Sequence, residues 1–315
     1  MKIAVLDADT LGNDLDLSPL EQFGEVKVYA SSLPEEIEKR LDGFDVAIVN
    51  KLKLNESTIG NVRSLKLICV FATGYDNIDT EFCKSNNIAV CNVVGYSTAS
   101  VAQLTVSMVL SLMTHLKEYR EYVSSGKYSS GNTANRLVPV YHELSGLTWG
   151  IAGYGNIGKA VGKVAKALGC KVIAYKRTPA DDVETVSLDT LCERSDIISV
   201  HLPLSAGTRG LFGEKEFAKM KDGAIFVNVA RGAVTDEKAL AEAVLSGKLG
   251  GIGVDVYSQE PFSENHPFYK IKDFDNVCLT PHMAWGSFEA RKRCLFEICE
   301  NINSFLGGNR RNRIV

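Results

Sequence analysis

The sequence has no apolar run of about 18 residues, the length that a membrane-spanning helix needs. Its first residues, Met1 to Asp7, reach a charged side chain too early for the apolar region of a signal peptide. An excess of positive charge is also missing, because 35 lysines and arginines stand against 38 aspartates and glutamates. The formal net charge of −3 provides no positive field to hold a nucleic acid backbone or an anionic membrane. These absences predict a cytoplasmic protein that binds a small molecule and neither nucleic acid nor a membrane.

Cysteine pairs with the spacing of metal ligands are missing as well. The eight cysteines are scattered, mostly inside apolar runs, and no two of them form a CxxC motif. A thiol in such a run usually behaves as a small hydrophobic side chain. We therefore interpret the cysteines as reduced core residues and predict no metal site.

What the sequence does contain is 315 residues with 45% hydrophobic content, enough for roughly two domains with separate cores. Near the N-terminus, short β-branched runs alternate with helix-length segments, which is typical of parallel βα units. The strands predicted there are residues 2–7, 26–29, 45–49, 65–71 and 88–93. From residue 97 to about 122, apolar residues recur every three or four positions and predict one long helix.

A second alternating series predicts six further strands, a number that suits a complete dinucleotide-binding sheet. They are residues 148–152, 171–175, 197–201, 224–229, 251–256 and 277–280. A last helix, from about residue 287 to 306, cannot form a domain alone and is expected to return to the N-terminal domain. The predicted fold class is α/β with two doubly wound parallel-sheet domains. A Rossmann domain at 98–286 is inserted into a flavodoxin-like domain made of 1–97 and 287–315.

A glycine-rich turn lies between the first strand of the second series and the helix that follows it. Gly153, Gly155 and Gly158 fit the pattern GxGxxG, which is weak evidence alone but stronger between a strand and a helix. The glycines allow a tight turn, close approach of a pyrophosphate to the backbone, and packing of helix on strand. The amides of Asn156 and Ile157 would then face a phosphate at the helix N-terminus.

The residues at the end of the next strand leave the choice of cofactor open. An NAD site usually carries an acidic residue about 20 positions after the glycines. Here the sequence has Lys176, Arg177 and Thr178 instead. Two adjacent cations suit the 2′-phosphate of NADP(H), although lysine and arginine at a strand end are also ordinary solvated residues. The sequence therefore predicts NAD(H) or NADP(H), with a lean to NADP(H) or dual use.

Three later segments place ionisable residues directly after predicted strands, at the edge where open α/β sheets bind ligands. Arg231 suits a substrate carboxylate or carbonyl oxygen, because its planar guanidinium pairs with two oxygens and stays charged. His282 suits a proton donor, because free histidine titrates near neutral pH. Glu260 would stabilise the protonated imidazole if it reaches the ring, and Asp255 is expected to face the nicotinamide side of the cofactor. Taken singly, each of these residues is also compatible with a structural role or a surface ion pair.

These segments resemble the D-isomer-specific 2-hydroxyacid dehydrogenase family, and within it the glycerate dehydrogenase (hydroxypyruvate reductase) branch. The resemblance covers nearly the whole chain. Its most specific motifs are residues 153–158, 227–237, 255–261 and 280–282. The branch rests on residues 72–79 and 95–103 and on Trp285.

The resemblance implies an NAD(P)-dependent enzyme, a homodimer, that interconverts a small 2-oxo acid and a D-2-hydroxy acid. Hydroxypyruvate with D-glycerate, or glyoxylate with glycolate, are the expected pairs. The implied catalytic residues are Arg231, Glu260 and His282. The implied cofactor contacts, besides residues 176–178, are Asn156, Ile157, Pro203, Thr208, Val229, Ala230 and Asp255. The implied substrate contacts, besides Arg231 and His282, are Asn50, Lys51, Thr73 and Gly74.

The alternatives are a D-lactate-type dehydrogenase of the same family, a nucleotide-sensing corepressor and a formate-dehydrogenase-like enzyme. A nucleotide-sensing corepressor that resembles the family would keep the catalytic residues and turn over oxo acids poorly. A formate-dehydrogenase-like enzyme would be expected to pair its histidine with glutamine, and Glu260 argues against it.

Overall fold

A computed structural model describes all residues of the chain, Met1–Val315. The chain forms two compact units. Unit 1 consists of Met1–Ser97 and Gly286–Val315, and unit 2 consists of Thr98–Trp285. Each unit contains one parallel sheet with helices, so the predicted α/β fold class is confirmed.

The sheet of unit 1 has five parallel strands in the order β2-β1-β3-β4-β5, the order of flavodoxin-like sheets. The strands are β1 (Lys2–Val5), β2 (Glu25–Val28), β3 (Val46–Val49), β4 (Leu67–Val70) and β5 (Ala89–Cys91). Short helices follow three of them: α1 (Ile37–Leu41), α2 (Glu56–Ile59) and α3 (Thr80–Ser85). Every residue of β3 and β4 is buried, as expected for central parallel strands covered on both faces.

The last helix, α10 (Phe288–Leu306), packs within unit 1. The Ser287 hydroxyl caps its first turn by accepting a hydrogen bond from the Ala290 amide. The Asn301 side chain donates to the carbonyl oxygen of Asn92 at 2.9 Å. The C-terminal residues then run beside β5, because the Ile314 amide donates to the carbonyl oxygen of Val90.

The sheet of unit 2 has seven parallel strands in the order β12-β11-β10-β9-β6-β7-β8. The strands are β6 (Thr148–Ala152), β7 (Lys171–Tyr175), β8 (Glu184–Thr185), β9 (Ile197–Val200), β10 (Ala224–Asn228), β11 (Leu249–Val254) and β12 (Val277–Leu279). The helices are α4 (Thr98–Met113), α5 (Leu116–Ser124), α6 (Asn156–Ala167), α7 (Leu188–Arg194), α8 (Glu214–Lys219) and α9 (Glu237–Leu245). Chain order reverses between β6 and β9, which makes their carboxyl ends the switch point where doubly wound sheets bind ligands.

Both faces of this sheet are covered by apolar side chains. On one face, Phe212 and Phe217 pack edge-on against Phe226, with ring centroids 5.1 and 5.2 Å apart. The cluster with Trp149 and Ile151 includes residues of α4 and α6. Two covered faces explain why the strands appear in the sequence as continuous apolar runs instead of alternating ones.

The prediction of one helix from residue 97 to 122 is wrong, because the helix breaks between Met113 and Leu116. His115 has a left-handed backbone, with φ of 50°, and α4 and α5 are bent by 64°. The Thr114 hydroxyl donates to the carbonyl oxygen of Leu110, a local bond that competes with the helical ladder. No residue of α5 is buried, so the apolar spacing continues there without a core to pack on.

The sequence also missed β8, since a two-residue strand is too short to show any alternation. No single helix has the length and hydropathy to cross a membrane, while the bent pair α4 and α5 meets that test by length and composition only.

Candidate active site

The carboxyl ends of six strands of unit 2 lie in one row. The row of paired Cα positions runs across the sheet through Tyr175, Ala152, Val200, Asn228, Val254 and Leu279. The next residues of each strand therefore leave the sheet at the same edge. All candidate cofactor and catalytic residues of unit 2 follow this row.

In the turn after β6, the space around the backbone explains the glycine at each of three positions. Gly153 has φ of 97°, and a Cβ there would lie 2.7 Å from the carbonyl carbon of His201. A Cβ at Gly158 would lie 2.2 Å from the carbonyl oxygen of Gly153, so this glycine lets α6 pack on the turn. A Cβ at Gly155 would meet no atom within 4 Å. Gly155 therefore borders open space. A pyrophosphate needs such space to approach the backbone closely.

The N-terminus of α6 suits an anion. No side chain caps it, and no acidic residue lies in its first turn. Asn156 and Ile157 are the first two residues of the helix, so their amides have no carbonyl partner in the helical ladder. These features fit a dinucleotide phosphate, which would be bound by the two amides and the helix dipole.

The other residues predicted to line a cofactor lie along the same edge. Lys176 is half-buried, and Arg177 and Thr178 are exposed, directly after β7. After β9, the Thr208 hydroxyl donates to the carbonyl oxygen of Pro203 at 2.7 Å, so it closes the loop that both residues belong to.

The turn after β10 carries Val229, Ala230 and Arg231, and a buried asparagine fixes it. The Asn228 side chain accepts from the amide of Ala230 at 3.0 Å and donates to the carbonyl oxygen of Arg231 at 3.0 Å. Sequence reasoning missed Asn228. A polar residue at the end of an otherwise apolar strand was the pattern that could have indicated it.

Glu260 and His282 are in direct contact. The Nδ1 atom of His282 lies 2.6 Å from Oε2 of Glu260, and both side chains are partly exposed. The other oxygen of Glu260 accepts from the amide of Tyr257 at 2.9 Å. The carboxylate is thus oriented by the backbone of its own loop, and it can hold a proton on the Nδ1 atom of the imidazole.

His282 has a left-handed backbone, with φ of 52°, which is uncommon for a residue other than glycine. Its neighbours impose this conformation. The amides of Met283 and Ala284 donate to the carboxylate of Asp255 at 2.8 and 2.9 Å, and the Trp285 ring nitrogen donates to the carbonyl oxygen of His282. Strain held in place by surrounding contacts is common at functional sites.

Asp255 is fully buried and also accepts from the hydroxyl of Thr280 at 2.6 Å. Burial raises the pKa of Asp255, and its hydrogen bonds oppose that shift. Its observed contacts are with the segment that carries His282. Its predicted contact with the cofactor stays a prediction.

His201, at the switch point, does not have the properties of a second proton donor. Burial lowers the pKa of His201 to about 3, so the ring stays neutral near pH 7. Its Nε2 atom lies 3.0 Å from the hydroxyl of Ser199, which accepts from the ring nitrogen of Trp149 at 2.9 Å. We interpret His201 as a structural residue.

The predicted substrate residues of unit 1 follow β3 and β4. The amides of Asn50, Lys51 and Leu52 all donate to the buried carboxylate of Asp7, at 2.7 to 3.2 Å. These amides already have an acceptor within the chain, so the exposed Lys51 side chain is the group of this loop suited to an anion. Burial raises the pKa of Asp7, and the three amides oppose that shift.

Thr73 and Gly74 follow β4. The Thr73 hydroxyl donates to the carbonyl oxygen of Val93, and the Thr73 carbonyl oxygen accepts from the Asn92 side chain, both at 2.7 Å. The Thr73 side chain therefore fixes the turn. Gly74, the next residue of the turn, is half-buried.

Two glycine variants test the phosphate turn. Gly155→Ala should leave thermal stability nearly unchanged, because the new methyl group meets no protein atom, but should weaken binding of NADH and NADPH at least tenfold by blocking the pyrophosphate. Gly158→Ala should lower stability by about 1 to 3 kcal/mol through overpacking. Thermal unfolding and fluorescence titration with each cofactor measure both effects. Unchanged cofactor affinity in Gly155→Ala would contradict this placement of the pyrophosphate.

Residues 106–284 match the family model described as D-isomer specific 2-hydroxyacid dehydrogenase, NAD binding domain. The chain is 37% identical to a hydroxypyruvate reductase of Blautia hydrogenotrophica, over 98% of each chain. It is 35% identical to a glycerate dehydrogenase of Methylorubrum extorquens, over 99% of this chain and 98% of the relative.

Two solved structures are also similar. An acyclic imino acid reductase in complex with NADPH and D-Arg has a TM-score of 0.89 at 30% identity, over 100% of both chains. A D-lactate dehydrogenase of Aquifex aeolicus complexed with NAD and lactic acid has a TM-score of 0.86 at 28% identity, over 98% of this chain and 96% of the other. These findings confirm the predicted family, its glycerate dehydrogenase branch and a nicotinamide dinucleotide as the cofactor class. The chain therefore belongs to the D-isomer-specific 2-hydroxyacid dehydrogenase family.

Proposed function

We propose that this enzyme, an oxidoreductase of small 2-oxo and 2-hydroxy acids, reduces hydroxypyruvate to D-glycerate or glyoxylate to glycolate. The names of its relatives, hydroxypyruvate reductase and glycerate dehydrogenase, support the substrate class. The observation that carries the chemistry is the 2.6 Å contact between His282 and Glu260 at the edge of the sheet that also holds the phosphate turn. Turnover of hydroxypyruvate, glyoxylate, pyruvate and 2-oxoisocaproate with each cofactor measures the substrate choice.

In the proposed reaction, His282 is the proton donor. Its Nδ1 proton is held by Glu260, so a protonated ring donates from Nε2 to the carbonyl oxygen of the substrate. The nicotinamide dinucleotide supplies the hydride when it is bound. The neutral imidazole left behind is partly exposed and regains its proton from solvent.

Arg231 is proposed to bind the carboxylate of the substrate. It follows β10 in an extended conformation, with φ of −148°, and its Nη1 atom donates to the carbonyl oxygen of Ala230 at 2.8 Å. That bond fixes the direction of the guanidinium without neutralising its charge. The further substrate contacts proposed in unit 1 are Asn50, Lys51, Thr73 and Gly74, among which Lys51 supplies a charge.

The proton donor is tested by His282→Ala. We expect kcat/KM for hydroxypyruvate and glyoxylate to fall by about 10²- to 10⁴-fold, the usual contribution of a positioned general acid, with cofactor affinity nearly intact. The exposed His142 gives a matched control, since His142→Ala should leave the rate unchanged. Equal loss in both variants would contradict the assignment.

Glu260→Gln completes this test. The carboxylate lies 2.6 Å from Nδ1 of His282 and offers a negative charge to an imidazolium, whereas the amide of glutamine is neutral. Reduction should then decline with rising pH from a lower pH than in the wild type. Superimposable profiles of kcat/KM against pH would show that Glu260 does not support the proton on His282.

The cofactor is proposed to be NADP(H), or both dinucleotides, because Lys176 and Arg177 follow β7 where NAD-specific sites carry an acidic residue. Lys176→Asp should lower kcat/KM with NADPH about 10- to 100-fold more than with NADH, because a carboxylate repels the 2′-phosphate and accepts from a ribose hydroxyl. Lys171, exposed at the other end of the same strand, provides the control Lys171→Asp. An unchanged ratio between the cofactors in Lys176→Asp would refute the lean towards NADP(H).

We also propose that the enzyme is a homodimer in the cytoplasm. Leu137, Val138 and Val140 are 71%, 63% and 65% exposed, and Leu116 and Val123 of α5 are exposed as well. A concentration of exposed apolar side chains marks an interaction surface. Sedimentation velocity at micromolar concentration tests the dimer, and a single species of 34.3 kDa would contradict it.

All eight cysteines are free, which suits a reducing compartment, and cell fractionation tests that location.

A further inference from the structure

One buried carboxylate of unit 2 has no part in the proposed reaction. Glu237 is the first residue of α9, and its side chain is only 10% exposed. It accepts from the Ser258 amide at 2.7 Å, from the Ser258 hydroxyl, and from Nε2 of His266 at 3.0 Å. A buried charge is costly unless donors compensate it, and here three donors and the N-terminal end of a helix dipole do so.

His266 requires an acceptor at this position. The Phe268 amide donates to Nδ1 of His266 at 3.2 Å, so in the neutral ring the proton is on Nε2. Nε2 therefore donates to Glu237, and an amide nitrogen in place of the carboxylate oxygen would face this proton. The ring is also held by packing, with centroids 4.9 Å from those of both Phe262 and Phe268.

These contacts lead to the loop that carries Glu260. Residues 258–261 of this loop are exposed and belong to no helix or strand. Ser258, two positions before Glu260, is bound to Glu237 through both its amide and its hydroxyl. The backbone of Gly232 lies directly behind the loop, because a Cβ there would lie 2.1 Å from the carbonyl carbon of Tyr257.

The loop is fixed on its other side as well. The Tyr257 hydroxyl donates to the carbonyl oxygen of Thr280 at 2.9 Å, two residues before His282. The Tyr257 amide donates to the carboxylate of Glu260 at 2.9 Å. The Tyr257 amide belongs to the peptide directly before the one that Glu237 holds, so a shift of the Ser258 amide reaches the donor that orients Glu260 through a single Cα atom.

We propose that Glu237 is a positioning residue of this enzyme, which holds the loop 257–261 so that Glu260 stays in contact with His282. The proposal rests on the proposed roles of Glu260 and His282. Glu237 touches neither of them and acts through Ser258 and the backbone of Tyr257. A displacement of about 1 Å at a catalytic group can lower the rate about a hundredfold. A residue that only positions Glu260 therefore has a measurable effect on the rate.

The test is a double-mutant cycle in the full-length enzyme. Glu237→Gln keeps the size of the side chain and loses an acceptor, and should lower kcat for hydroxypyruvate about 10- to 100-fold with little change in KM for the cofactor. Its pH profile should shift in the same direction as that of Glu260→Gln. In a Glu260→Gln background, Glu237→Gln should lower kcat less than threefold further and leave the profile where it is, because the group that it positions is already gone.

Glu242 lies exposed on the same helix and gives the matched control, since Glu242→Gln should change neither kcat nor the pH profile. If Glu237→Gln fails to fold, Ser258→Ala removes a single donor from an exposed residue and should lower kcat about threefold, again only when Glu260 is present. If the fold loss of kcat in the double variant equals the product of the two single losses, Glu237 acts independently of Glu260 and the positioning role is overturned. An unchanged pH profile in Glu237→Gln would overturn it as well. Full activity of both His282→Ala and Glu260→Gln would instead contradict the proposed function, so the two failures are distinguishable.

Discussion

The register of the sheet in unit 2 is the constraint on which the site depends. Six neighbouring strands end at paired positions, from Tyr175 through Ala152 to Leu279. Parallel pairing in register places the residues after each strand along one edge without any further interaction. A slip of one residue in β10 or β12 would turn the side chains of that strand to opposite faces and carry Arg231 or His282 out of line.

Behind this edge, buried polar side chains bind the backbone of the loops that follow the strands. Asn228 holds the turn of Arg231, Asp255 holds the segment of His282, and Glu237 holds the loop of Glu260. In unit 1, Asp7 does the same for the loop 50–52. Leaving such a donor or acceptor unpaired costs about 1 to 3 kcal/mol, so each of these residues fixes a loop that has no regular structure of its own.

The sequence was sufficient to predict features that follow from a repeating pattern of apolar residues or from a short motif of glycines. Strands β6 and β7 were predicted at their observed bounds, because covered parallel strands are continuous apolar runs. The glycine turn was recognised from the pattern GxGxxG between a strand and a helix, and φ of 97° at Gly153 shows why glycine stands there. The break at His115 was missed, because periodicity indicates a helical spacing and contains no information on whether a core lies beside it.

The buried carboxylates were missed for a different reason. Glu237 and Ser258 are 21 positions apart, and Asp7 and Lys51 are 44 positions apart, so neither pairing leaves a local pattern. Asp255 was noticed as a residue after a strand, but its contacts with Met283 and Ala284 depend on how two loops meet. Roles of this kind follow from tertiary contacts, which a single sequence does not contain.

The two tryptophans of the chain lie at contrasting positions. Trp149 is fully buried in β6, with its ring nitrogen bonded to Ser199. Trp285 is partly exposed, with its ring nitrogen bonded to the peptide of His282. The tryptophan emission of this protein is consequently the sum of a core chromophore that responds to unfolding of the sheet and a peripheral one that responds to movement of the His282 backbone.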